Sequence, residues 1–198
     1  MQQAICVYSS SSDAIAPAFF EAATELGAEM ARRGHALVFG GTSVGLMGAV
    51  ARAVHASGGT VIGVIPQSIH ERGIAYEIAD ELIVTRDLRE RKAYMEARAE
   101  AFVTLPGGFG TLEELLEILT LKQLQAHDKP IALINAQGFY DPLAHLFEHI
   151  YRERFARPEY RNLYHFAPDA VGALDYIANY TPVRLESKWS QAELSPGS

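Results

Sequence analysis

The chain has 198 residues, a formal net charge of −7, and 48% hydrophobic against 21% charged residues. Length and composition fit one globular domain with a substantial core, and the acidic balance argues against a general nucleic-acid binder. No apolar run approaches the roughly 18 residues of a membrane helix, and no basic then apolar leader opens the chain, so a cytoplasmic location is the expectation.

Ala4 to Tyr8 reads as a first strand. Cys6, the only cysteine, lies in it and reads as a buried filler; one cysteine excludes an internal disulfide and a multi-cysteine metal site. Ser9 to Ser12 either faces a ligand at the carboxyl edge of a sheet, with Ser11 the candidate, or caps the next helix. That helix spans about Ala14 to Arg33, with apolar residues at 19, 22, 23, 26 and 30, and Gly34 ends it.

Ala36 to Phe39 is a second strand. It runs into Gly40-Gly41-Thr42-Ser43-Val44-Gly45-Leu46-Met47-Gly48 and then a helix to about Ala56. The turn is not a Walker A loop, because no Lys-Ser/Thr follows the last glycine. Its glycine spacing and the lack of an acid after the next strand also exclude the dinucleotide fingerprint. It reads as a mononucleotide or sugar-phosphate cradle, with close helix–strand packing as the alternative use of the same glycines.

Thr60 to Ile65 is a third strand, apolar throughout as a buried parallel strand should be, and Pro66 stops it. Gln67 to Ala79 is irregular with room for one helical turn, and Glu81 to Thr85 is a fourth strand. Asp87 then caps a helix to about Ala99 that carries Arg89, Arg91, Lys92 and Arg98. Its charges read either as a solvated face or as cations brought to the sheet edge by right-handed crossovers.

The central stretch is Ala101 to Gln125, AFVTLPGGFGTLEELLEILTLKQLQ. An apolar strand, Ala101 to Leu105, ends at Pro106, and Gly107-Gly108-Phe109-Gly110 turns the chain into a helix. Thr111 at the N-cap and Glu114 three residues on have the form of a capping box. A helix N-terminus after a glycine turn suits an anion, yet Glu113, Glu114 and Glu117 enter the same region. That pairing points to chemistry beside a bound phosphate.

Pro130 to Asn135 is a further strand, and Asp141-Pro142 opens a helix. His145 and His149 lie four apart on it, but no HExxH pattern or third ligand accompanies them, so they read as a surface or interface pair. Phe155 to Arg161 is a loop, Leu163 to Phe166 a last strand, and Asp169 caps a helix to about Tyr180. The expected organisation is one domain over residues 1–180 and a partly disordered tail over 181–198. Strands alternating with helices give an α/β fold: a Rossmann-like, doubly wound parallel sheet with helices on both faces. Its ligand crevice lies at the loops after the first, second and fifth strands.

These motifs resemble the LOG ("lonely guy") family, the cytokinin riboside 5′-monophosphate phosphoribohydrolases. The PGGxGTxxE signature is met by Pro106, Gly107, Gly108, Gly110, Thr111 and Glu114. The GGxxxGLMG run is met by Gly40, Gly41, Gly45, Leu46, Met47 and Gly48, and the ERKxxM run by Glu90, Arg91, Lys92 and Met95. Gly63 to Pro66 and Lys129-Pro130 match further segments. Departures from the family pattern fall at Ser10, Thr42, Arg89 and Gly73.

The resemblance implies hydrolysis of the N-glycosidic bond of an adenosine-type 5′-monophosphate to free base and ribose 5-phosphate. It implies no cofactor and no metal, and a homodimer that binds a purine nucleoside monophosphate. It gives the catalytic roles to Arg91 and Glu114. Substrate binding falls to Ser11, Gly40, Gly41, Gly45, Met47, Lys92, Pro106 to Thr111, Leu112, Glu113 and Thr120, the last reached from a second subunit or from the helix interior. A carboxylate suits an oxocarbenium-like transition state, and arginine, charged at all working pH, supplies electrostatics. One conflict stands within the motif. If Glu114 turns back to the Thr111 N–H as a capping box, it cannot also face the ribose. A nucleotide or molybdenum-cofactor carrier is the alternative function. The label of PLP-dependent lysine decarboxylase, also attached to such sequences, needs a Schiff-base lysine that no pattern identifies.

Overall fold

The computed structural model describes residues 3–183. Residues 184–198, most of the expected tail, lie outside the described residues. Seven strands form one sheet: β1 (Ala4–Tyr8), β2 (Ala36–Phe39), β3 (Val61–Pro66), β4 (Glu81–Thr85), β5 (Ala101–Thr104), β6 (Ile131–Ile134) and β7 (His165–Ala167). The order is β4-β3-β2-β1-β5-β6-β7, and every pairing is parallel. The helices are α1 (Pro17–Arg32), α2 (Gly45–Ala56), the single turn α3 (Gln67–His70), α4 (Leu88–Arg98), α5 (Phe109–Gln123), α6 (Asp141–Arg152) and α7 (Ala170–Ala178). Among the described residues no helix is long and apolar enough to cross a membrane.

The helices divide between the two faces. Ile5, Val7, Leu37 and Val103 point to a core closed by Leu26 of α1, Val50 of α2 and Leu174 of α7. Cys6, Tyr8, Val38 and Phe102, one residue out of step, point to a second core closed by Met95 of α4 and by Leu115 and Ile118 of α5. This period-2 alternation with both faces apolar is what a covered parallel strand requires. Each fully buried large side chain contributes about 1.5–3 kcal/mol relative to exposure. Cys6 is wholly buried, and burial pushes its thiol well up, so it is a core atom rather than a nucleophile.

Several boundaries differ from the sequence reading; β3 runs Val61–Pro66 rather than Thr60–Ile65, so Pro66 is its last residue and not the residue that stops it. The first helix starts at Pro17, not Ala14, because proline is suited to the first helical position; its N-cap is Ala16, with no side-chain cap. The serines therefore do not cap it. Residues 158–163 form a 3-10 turn where a plain loop was expected, and the last strand is His165–Ala167, shifted from Leu163–Phe166. The consequential difference is at α5. Its N-cap is Gly108 with no side-chain cap, so the helix opens at Phe109 and Thr111 lies inside the first turn.

Strand order reverses between β1 and β5, whose successors run to opposite sides. Such a reversal parts the loops at the carboxyl ends and leaves a crevice between them. Tyr8 pairs with Thr104 and Val7 with Phe39, so β1, β2 and β5 end level with one another.

Candidate functional site

Two helices on one face deliver the central pair. Asp87 accepts from the Arg89 and Glu90 N–H groups and fixes the start of α4. One turn on, Arg91 points inward. Its Nε donates to the Val64 carbonyl at the end of β3, 3.1 Å away, and its Nη1 lies 3.0 Å from Glu114 Oε1. Both partners are nearly covered, at 9% and 7% exposure. Burial pushes the Glu114 carboxyl up, and the Arg91 charge beside it pulls back less strongly. The raised pKa has a stability consequence with a definite sign. Glu114's contribution is fully present below the ordinary carboxylate value and is lost as pH rises through its elevated value.

Glu114 is therefore not a capping-box residue. With α5 opening at Phe109, position 114 lies in the second turn and faces the sheet. Gly107 makes the early start workable: a Cβ there would fall 2.1 Å from Thr111 Oγ1, so only glycine lets the turn close against the helix. The three carboxylates separate by helical phase. Glu114 meets Arg91, whereas Glu113 and Glu117, one turn apart, share the Lys92 ammonium; Glu117 Oε2 is 2.7 Å from it, and Glu113 contacts it as well. Lys92 is thus committed to carboxylates rather than presented free to a phosphate.

The 106–111 turn provides open donors. The backbone N–H groups of Gly108, Phe109, Gly110 and Thr111 meet no acceptor among the described residues; the first helical bond in the turn is Leu112 N–H to the Gly108 carbonyl. Gly108, Phe109 and Gly110 are exposed, and a Cβ on Gly110 would meet open space. Free N–H groups at the positive end of a fifteen-residue helix form an anion cradle.

The 40–48 turn is built otherwise. The Gly45 N–H donates to Asp13 Oδ1 at 2.9 Å, and the Leu46 and Met47 N–H groups both donate to the Ser10 carbonyl. The start of α2 is therefore filled by the chain's own 10–13 loop. Ser11 is exposed, and its backbone packs on Gly45. Gly40 and Gly41 sit closer to the crevice. A Cβ on Gly40 would fall 2.0 Å from Arg91 Nη2 and 2.7 Å from Met47 Sδ, so this glycine leaves the space that the guanidinium and thioether occupy. The segment after α3 braces the turn from outside: Ser43 N–H donates to the Ile74 carbonyl and Tyr76 N–H to the Gly41 carbonyl.

Thr120 does not join the site in this chain. It is exposed, which rules out the helix interior, and its Oγ1 donates to the Leu116 carbonyl of its own helix. It lines a shallow groove of about 660 Å³ on the outward face of α5 together with Phe109, Leu112 and Leu116. His145 and His149 lie on α6, away from the crevice, and no group of metal-ligating side chains assembles among the described residues.

Sequence reasoning missed three contributors. The Val64 carbonyl is main chain and carries no residue signal. Asp13 stood at the end of the serine run and could have been read as a cap. Tyr8, the last residue of β1, is buried; burial raises its hydroxyl, with the charge of Glu114 adding to that.

Comparison with known proteins identifies the family of the chain. A family model described as "Possible lysine decarboxylase" matches residues 47–177. A cytokinin riboside 5′-monophosphate phosphoribohydrolase of Oryza sativa subsp. japonica, LOG, is 44% identical over 178 residues, 90% of this chain and 74% of that protein. An Arabidopsis thaliana enzyme of the same description is 40% identical over 198 residues, 97% of this chain and 93% of its own length. Among solved structures, a molybdenum cofactor carrier protein of Chlamydomonas reinhardtii superposes with a TM-score of 0.67 at 27% identity, over 90% of this chain and 96% of that one. A molybdenum cofactor binding protein of Rippkaea orientalis, 21% identical, shares the fold with a TM-score of 0.69, over 90% of this chain and 96% of that one. With the family model matched over most of the chain and curated relatives near 40% identical along nearly all of it, the chain belongs to the LOG family.

Proposed function

We propose that the protein is a cytokinin riboside 5′-monophosphate phosphoribohydrolase. Water cleaves the N-glycosidic bond of an adenosine 5′-monophosphate, with or without an N6 substituent, to free base and ribose 5-phosphate. The observation that carries this reading is the buried Arg91–Glu114 pair, 3.0 Å apart, beside a helix N-terminus with open N–H groups. The relatives that share the chain's length carry that activity in their names.

In this reading the 5′-phosphate lies on the N–H groups of residues 108–111, which hold it by hydrogen bonds at the positive end of the helix. The ribose then sits over Glu114. As the glycosidic bond lengthens, positive charge grows on the sugar; the ionised Glu114 stabilises it and directs water to the anomeric carbon. Arg91 offsets part of the burial that raises the Glu114 pKa and polarises the departing base, which leaves with the bonding electrons and takes up the proton that the attacking water gives up. Gly40, Gly41 and Met47 shape the wall beside the guanidinium.

The carrier reading draws on the likeness to the Chlamydomonas reinhardtii protein. A carrier needs the cradle but has no use for a carboxylate held against an arginine under the ribose. Decarboxylation through a Schiff base is disfavoured by the lysines among the described residues: Lys92 is paired with Glu113 and Glu117, Lys122 donates to the Leu163 carbonyl, and Lys129 donates to the Glu96 carbonyl. A cytoplasmic location and pairing with a second copy belong to the same proposal. The groove along α5, with Phe109 and Leu116 exposed, supports the pairing, and a monomer in sedimentation would exclude it.

The test is release of ribose 5-phosphate from a panel of nucleoside monophosphates. Wild type is expected to turn over adenosine-type substrates, and Glu114→Gln to lose at least about a hundredfold in kcat. The rate should fall on the acid side of a pKa above the ordinary 4.5, because the ionised carboxylate is required. Unimpaired turnover by Glu114→Gln would sink the assignment.

A further inference from the structure

The 106–111 turn has a support that lies outside both glycine motifs. Tyr140 stands between β6 and α6, is 1% exposed, and heads the fully buried side chains by size. The chain leaves β6 through a tight reversal in which Gln137 and Gly138 take positive φ, 54° and 69°. Asn135 locks that reversal. Its Oδ1 accepts the Tyr140 N–H at 2.7 Å and its Nδ2 donates to Asp141 Oδ1 at 2.7 Å. The locked backbone sends the Tyr140 ring inward, against Phe139 and Phe166 with centroids 5.0 and 6.5 Å away.

At the end of that path the Tyr140 hydroxyl donates to the Leu105 carbonyl at 2.7 Å. Leu105 is the first residue past β5, and Pro106 opens the turn. Two main-chain bonds also hold this point: Leu105 N–H to the Tyr8 carbonyl, and Ser10 N–H to the Pro106 carbonyl at 3.3 Å. Tyr140 supplies the side-chain anchor, from the neighbouring strand's loop, just where the chain leaves the sheet. An N–H cradle binds an anion well only if its donors are fixed before the anion arrives.

We infer that Tyr140 is a positioning residue for the phosphate-binding turn. Its hydroxyl fixes the Leu105 carbonyl and so the aim of the N–H groups of residues 108–111, without touching substrate. This inference rests on the reading of the turn as a phosphate cradle. A hydroxyl that serves only core stability would move stability and nothing else. Tyr164 supplies the comparison: its hydroxyl bonds that of Tyr151 at 3.1 Å, within the small core of α6 and the 158–163 turn.

The experiment measures ribose 5-phosphate binding by calorimetry, steady-state kinetics and the thermal midpoint for wild type, Tyr140→Phe and Tyr164→Phe. The expected result is a five- to tenfold weaker ribose 5-phosphate dissociation constant and a matching rise in KM for Tyr140→Phe, with kcat within about twofold and Tyr164→Phe unchanged in both. Should Tyr140→Phe fail to fold, Asn135→Ala, which loosens the same loop and keeps the hydroxyl, is expected to move binding in the same direction by less. Unchanged ribose 5-phosphate binding and KM in Tyr140→Phe, whether or not its midpoint falls, would overturn the inference alone. Wild type that binds ribose 5-phosphate but releases no base would overturn the hydrolase reading and leave this measurement standing. Wild type that binds none would overturn both.

Discussion

The chain passes twice from a buried strand through a glycine turn into a helix, at residues 40–48 and 106–111, and the two turns end in opposite states. At the first, Asp13 and the Ser10 carbonyl fill the N–H groups of α2, and the glycines let backbone and side chains approach closely. At the second, the N–H groups from 108 to 111 meet no acceptor among the described residues, and the glycines at 108 and 110 face open space. A glycine turn before a helix is thus not sufficient for an anion cradle. What decides is whether another segment has already taken the donors.

The largest expected effect tests the packed turn. A Cβ on Gly48 would fall 2.0 Å from the Ser43 carbonyl oxygen, a backbone atom that cannot swing away. Gly48→Ala should cost about 3 kcal/mol by chemical denaturation. The equivalent change in the open turn, Gly110→Ala, should cost nothing measurable. Equal losses at the two positions would erase the contrast. A smaller effect tests the open turn. Phe109 is the first residue of α5 and follows an extended Gly108, a setting that accepts proline. Phe109→Pro removes one free N–H and leaves the helical bonds in place. KM should rise about tenfold over that of Phe109→Ala, the worth of one charge-assisted hydrogen bond of about 1.4 kcal/mol. An unchanged KM would take phosphate off the turn. The smallest effect tests the filled N-terminus of α2. Asp13→Ala should lose about 1 kcal/mol of stability, as loss of a cap does, with kcat/KM within twofold. A large loss of activity there would return the 40–48 turn to the phosphate.

Much of the architecture was legible. The apolar runs read at 4–8, 36–39, 60–65 and 101–105 mark their strands to within a residue at either end, because both faces of a covered parallel strand must be apolar. The meeting of Arg91 and Glu114 followed from topology, since right-handed crossovers bring the starts of α4 and α5 to one edge. Other features were not legible. Thr111 and Glu114 have the spacing of a capping box, and only the fold shows the helix starting three residues earlier, with Gly108 rather than Thr111 at the N-cap. Lys92 reads as a phosphate ligand until Glu113 and Glu117 are placed beside it. Thr120 lies on the right helix and on the wrong side of it for this chain's own crevice.

The sequence by itself determined the strand and helix order and the two glycine turns, because these follow from local conformational preference and from which residue types stand where; the chemistry it suggested came through the resemblance of its motifs to the family. Tertiary structure alone decided which turn stayed open, which of three neighbouring carboxylates turned inward, and that Tyr140 reaches the Leu105 carbonyl across 35 positions. Those outcomes depend on which donors and acceptors meet in space, and hydrogen bonds between distant segments leave no periodicity in the chain.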